Sequence, residues 1–179
     1  MAEPISLIKD IEPNPNMPVP KDKPMNPYSI PEKYENIALN KIYPEKIGQE
    51  KFNKLVEFIK QQESNNKHLN KKGFVKIGDA GEVGIMQLKP LGNFGGGKGG
   101  SLTGIRRPIL ENEDLNERIG RIHLINILGN SIINYDIPST IMAWNRGLGK
   151  HKKWIVAGKD KKKLPNITQK YLKALEKVF

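Results

Sequence analysis

At 179 residues, with 37% hydrophobic side chains and no cysteine, the chain has the size of one domain plus an extra segment, and disulfide frameworks, zinc ribbons, Fe–S clusters and thiol nucleophiles are excluded. Thirty Lys and Arg against nineteen Asp and Glu leave a formal charge of +11, which draws such a protein toward an anionic polymer or surface. The first sixteen residues carry acids and prolines and no apolar run of signal-peptide length, so no secretory signal is expected, and no stretch approaches a membrane span.

Nine of the thirteen prolines lie at positions 4, 13, 15, 18, 20, 24, 27, 31 and 44, a density that forbids a continuous helix. Residues 1–45 therefore read as an extended arm or linker, with docking to a larger assembly as its expected use. From Gly48 the pattern changes. Phe52, Leu55, Val56 and Ile59 recur at three- and four-residue steps and predict an amphipathic helix whose next inward position is Glu63. Residues 65–81 are rich in Asn, Lys and Gly and read as turns or a short hairpin, followed by a compact apolar segment from Val83 to Leu88 that ends at Pro90. Seven of the thirteen residues from Gly92 to Gly104 are glycine, which predicts a loop. Helices are predicted around Leu115, Ile119, Ile122 and Ile125, from about Ser139 through Trp144, and from Ile167 to Val178. The expected architecture is mostly helical α+β with a small β element.

Nucleotide-binding patterns fail on inspection. Gly95, Gly97 and Gly100 fit G-x-G-x-x-G only because the run is glycine-rich, and Gly99 stands where a Walker A loop needs a hydroxyl for Mg²⁺. His68, His123 and His151 lack the close pairing of zinc sites, so no metal is expected, and His123 reads as a core-edge or surface residue. Glu63 is different. Its place on the apolar stripe turns a carboxylate inward, and burial together with the negative end of the helix dipole disfavours its charged form. A carboxyl held protonated near neutral pH is what protonation of a glycosidic oxygen requires.

Four segments occur in a recognisable order: Glu63-Ser64; Gly81-Glu82-Val83-Gly84-Ile85-Met86-Gln87-Leu88-Lys89-Pro90; Ala143-Trp144-Asn145-Arg146-Gly147; and Leu164-Pro165-x-x-Thr168-x-x-Tyr171. Together they resemble lytic transglycosylases of the SLT type, whose fold is similar to goose-type lysozyme. The resemblance covers roughly residues 46–179, and the second segment is the most specific. Departures are a longer gap between Glu63 and Gln87, a longer glycine run after Pro90, and Arg146 in place of the usual alanine, which is expected to set a positive side chain beside the cleft.

The resemblance implies a lysozyme-like domain over residues 46–179 that cleaves the β-1,4 bond between N-acetylmuramic acid and N-acetylglucosamine in peptidoglycan, without a cofactor. Glu63 would be the sole catalytic acid and base, with a 1,6-anhydro product. Ser64, Met86, Gln87, Asn145 and Tyr171 are the implied substrate-binding set, with Tyr171 near the acid; Trp144 could pack in the core or stack on a sugar face, and core is the reading favoured. Asp79 and Glu82 could instead supply a second carboxylate and make the enzyme a lysozyme-type hydrolase.

From Arg146 to Phe179 eleven Lys and Arg stand against Asp160 and Glu176, a net of +9 that suits the anionic cell wall. A murein enzyme with no export signal suggests a bacteriophage protein, virion-associated and acting in the periplasm or cell wall, with tail or capsid proteins as partners of residues 1–45. The rival from another class is a non-catalytic virion structural or nucleic-acid-binding protein on the same scaffold. Few aromatics interleave with the lysines of residues 150–163, which argues against single-strand binding.

Overall fold

The structure is a computed structural model and describes residues 32–90, 107–158 and 163–179. Most of the expected arm, residues 1–31, and the glycine-rich run lie outside the described residues.

The molecule is mostly helical: α1 (Glu32–Glu35), a 3-10 turn (Leu39–Lys41), α2 (Gln49–Ser64), α3 (Arg107–Leu110), α4 (Glu113–Leu128), α5 (Ile137–Arg146), α6 (Leu148–Val156) and α7 (Asn166–Leu175). The expected stripe on α2 is buried through Phe52, Leu55, Val56 and Ile59. It packs with Leu124 and Leu128 of α4, Ile141 of α5 and Leu175 of α7 in one apolar core. Burial of such side chains is worth about 1.5–3 kcal/mol each, so this shared core fixes α2 against the other helices.

Local chemistry sets the helix ends. Asn65 ends α2 in the left-handed region (φ 56°), its N–H returning to the carbonyl of Gln61. Asn112 caps α4 by accepting from the N–H of Leu115 at 3.0 Å, and Asp136 caps α5 by accepting from Ser139 at 2.8 Å. Gly147 both ends α5 and begins α6, with φ 82°.

Two expectations change. The β element reduces, among the described residues, to three isolated antiparallel bridges, Leu69 with Val75, Ile77 with Val83, and Val83 with Leu88. Turns at Gly73, Gly81 and Gly84, all at positive φ, interrupt the chain before any ladder can extend. Part of the segment expected as an arm is also packed. Tyr34 and Ile42 belong to the core, and the buried Arg118 guanidinium of α4 donates to the carbonyls of Tyr34 and Ile37. Five donors on one guanidinium can hold an irregular backbone segment that proline content alone would leave free. Helix α6 was not anticipated. Among the described residues no helix is long and apolar enough to cross a membrane.

Candidate active site

Glu63 lies one residue from the end of α2, half-buried. The indole Nε1–H of Trp144 on α5 donates to its Oε1 at 3.1 Å. The hydroxyl of Tyr171 on α7 also donates to the carboxylate. Three helices thus meet on one carboxyl group. Burial pushes the Glu63 pKa up to about 7; the bonds from Trp144 and Tyr171 oppose that rise, and the charge of Glu82 adds to it. Burial and the neighbouring Glu63 likewise raise the Tyr171 pKa, so its phenol keeps its proton and remains a donor.

Glu82, whose charge reaches Glu63, leads into the turn from Val83 to Leu88, a wall closed by reciprocal backbone bonds between those two residues at 2.9 and 3.0 Å. Its shape depends on two buried polar side chains. Asn116 of α4, fully buried, donates to the carbonyls of Val83 and Leu110, both at 2.8 Å, and accepts from the N–H of Met86 at 2.9 Å. The His68 ring accepts from the N–H of Ile85 through Nδ1 at 3.1 Å and donates through Nε2 to the Glu111 carbonyl at 2.7 Å, which fixes its tautomer. Gly84, at φ 76°, has no room for a side chain: a Cβ would meet Asn116 at 2.5 Å and His68 at 2.6 Å.

Gln87, at φ 46°, folds its amide Nε2 back onto the carbonyl of Gly84 at 2.7 Å. A Cβ on Gly78 would stand 2.6 Å from both Gln87 Oε1 and Glu82 Oε2, so these two oxygens converge on the same spot of the wall. Asn145 accepts from Thr168 Oγ1 at 2.7 Å, tying α5 to α7 one residue from Trp144.

Two of the expected contact residues are buried among the protein's own groups. Ser64 is buried; its hydroxyl donates to the Lys60 carbonyl at 2.9 Å and accepts from the N–H of Lys67 at 3.3 Å, which occupies it in finishing the helix. Met86 is fully buried and packs against Gly120 of α4, where a Cβ would come within 2.8 Å of it. The Nε and Nη1 of Arg146 are buried and have no hydrogen-bond partner among the described residues.

Sequence reasoning missed His68 and Asn116, and it favoured core packing for Trp144 over stacking on a sugar face. Trp144 does pack on the core, yet its one polar atom is spent on Glu63. No group of three or more His, Cys, Asp and Glu converges on a possible metal position among the described residues. Set against protein-family models, curated proteins and solved structures, the chain shows no significant match to any of them.

Proposed function

We propose that the chain is a peptidoglycan-cleaving lytic transglycosylase in which Glu63 is the single acid and base. The observation that carries this reading is the Glu63 carboxyl, held by Trp144 and Tyr171 with its pKa raised to about 7. Such a group is protonated often enough to donate and ionised often enough to accept at neutral pH. Glu63 gives its proton to the oxygen linking N-acetylmuramic acid to the next N-acetylglucosamine, and the glycosidic bond breaks. The neighbouring N-acetyl oxygen of the substrate shields the oxocarbenium-like carbon by intramolecular attack, a step favoured by proximity. The Glu63 carboxylate then takes the proton from the C6 hydroxyl, whose oxygen closes the 1,6-anhydro ring. Each proton is accounted for, and the enzyme ends as it began. Gln87 and Asn145 are the polar groups beside this centre that hold amide and hydroxyl groups of the sugars. A bacteriophage virion that delivers the enzyme to the wall, with residues 1–31 as the tether, accords with the proline pattern of that segment.

One observation favours a second reading. Glu82 is close enough for its charge to raise the Glu63 pKa, so a second carboxylate lies within electrostatic reach of the first and could activate water, giving a lysozyme-type hydrolase. Mass spectrometry of purified peptidoglycan digested by wild type, Glu63→Gln and Glu82→Gln separates them. Anhydromuropeptides lost only in Glu63→Gln support the transglycosylase. Reducing-end products lost in both variants support the hydrolase, and no products from wild type reject both in favour of a non-catalytic protein.

A further inference from the structure

On one face of α4, Asn116, Gly120, His123 and Ile127 follow one another at steps of four, three and four residues. Asn116 holds the backbone of the Val83–Leu88 turn and Gly120 receives the Met86 side chain. At the other end Ile127 packs in an apolar cluster with Ala143, against which Trp144 rests. His123 therefore occupies the stretch of α4 between the turn and Trp144, and its ring lies 5.5 Å from the Trp144 ring at an angle of 50°. Trp144 in turn touches Glu63 through Nε1. Neither imidazole nitrogen of His123 is sealed off as a buried unpartnered atom, and neither hydrogen-bonds to a described residue. The mechanism above gives this side chain no task.

We propose that His123 is a glycan-contacting residue of the cleft, its imidazole edge bonding a hydroxyl or N-acetyl group of an amino sugar that lies across Trp144 toward Glu63. The proposal rests on the glycan-cleaving reading of the site and adds to it a recognition residue outside the four sequence motifs. A neutral imidazole offers one donor and one acceptor on opposite edges of a flat ring, which matches the alternating hydroxyl and amide groups of an amino-sugar strand. Burial lowers the His123 pKa, which keeps that neutral form dominant at neutral pH. The tilted ring of Trp144 beside it supplies apolar surface for a sugar face.

The test uses the full chain with Glu63→Gln, so that ligand is not consumed, and chitotetraose, the uncharged β-1,4 tetramer of N-acetylglucosamine, as probe. Calorimetry on Glu63→Gln and on Glu63→Gln with His123→Phe compares affinities, phenylalanine keeping the ring against Trp144 while removing both polar atoms. Loss of one neutral hydrogen bond predicts a Kd about five- to tenfold higher in the double variant. In parallel, the His123 imidazole resonance of the Glu63→Gln protein is followed by NMR and is expected to move on saturation with chitotetraose; this readout stands even if the double variant does not fold. Equal affinities, or an imidazole resonance that stays in place while the tetramer binds, would overturn the assignment to His123 alone. A Glu63→Gln protein that binds neither chitotetraose nor solubilised murein glycan would overturn the glycan-cleaving reading, and this inference with it.

Discussion

The Trp144 indole donates its only polar hydrogen to Oε1 of Glu63 across 3.1 Å, so the last turn of α2 and the third turn of α5 are joined at the carboxyl group whose ionisation the proposed chemistry uses. A donor to a carboxylate stabilises the charged form, and removing it must raise the pKa further. Trp144→Phe is therefore expected to move the basic limb of the activity–pH profile up by about one unit, the size of one hydrogen bond to a charged group. A basic limb that stays in place would show that the indole packs without tuning the acid.

Glu63→Gln is expected to abolish murein cleavage while making the fold more stable above neutral pH. The sign follows from the raised folded pKa: Glu63 is easily buried when neutral, so its stability contribution is full below pH 4.5, declines as the pH rises, and is lost above about 7. Ionised burial costs about 3 kcal/mol by the size of that shift. Thermal melts of both proteins from pH 4 to pH 8 should superimpose at the acid end and diverge toward the basic end, with the variant higher. Parallel curves would contradict the assigned environment.

A buried ionic link holds α2 to α4. Glu117 accepts from Lys60 and from Arg121, each at 2.9 Å, and Arg121 continues to Asn53 at 2.7 Å. Burial alone would raise the Glu117 pKa, but the two cations outweigh it and hold the carboxyl below its usual range. Glu117→Ala leaves both cations without their buried partner and should destabilise the chain by about 3–5 kcal/mol at pH 7. The loss relative to wild type should shrink as acid protonates Glu117 below its ordinary range, which denaturant titrations at pH 7 and pH 3 would measure.

Asn116→Ala removes three hydrogen bonds at once and leaves the carbonyl of Leu110 and the N–H of Met86 buried without their partner, the Val83 carbonyl keeping only the N–H of Leu88. A loss of about 2–4 kcal/mol follows, with murein cleavage falling in the protein that remains folded. Full activity in a folded Asn116→Ala protein would mean that the turn keeps its shape unaided.

The apolar stripe of α2 could be read from spacing because Phe52, Leu55, Val56 and Ile59 repeat a helical period and no glycine or proline interrupts them. Glu63 stood out for the same reason, as a charged residue at an inward position. Helix α6 could not be read: Leu148–Val156 holds one fully buried side chain, His151, among lysines and a glycine, and its start at Gly147 carries no side-chain cap. The Tyr34–Ile42 segment, free of proline itself, was hidden by the prolines that flank it at positions 31 and 44, since what holds it is a guanidinium of α4 more than eighty positions away in sequence. His68 and Asn116 act through bonds to distant backbone, and polar residues of that kind have no periodic signature. The helix-closing bonds of Ser64 were not legible, because a hydroxyl beside a catalytic acid and a hydroxyl closing a helix look alike in sequence.

The wall formed by the Val83–Leu88 turn has no strand ladder of its own; Ile85 and Met86 give their amide hydrogens to His68 and Asn116. That wall is consequently no more persistent than the docking of α4, and it cannot open as an independent flap. Hydrogen exchange should find the amides of Ile85 and Met86 released only in the same cooperative opening that frees the buried face of α4, so the cleft assembles in the step that completes the core.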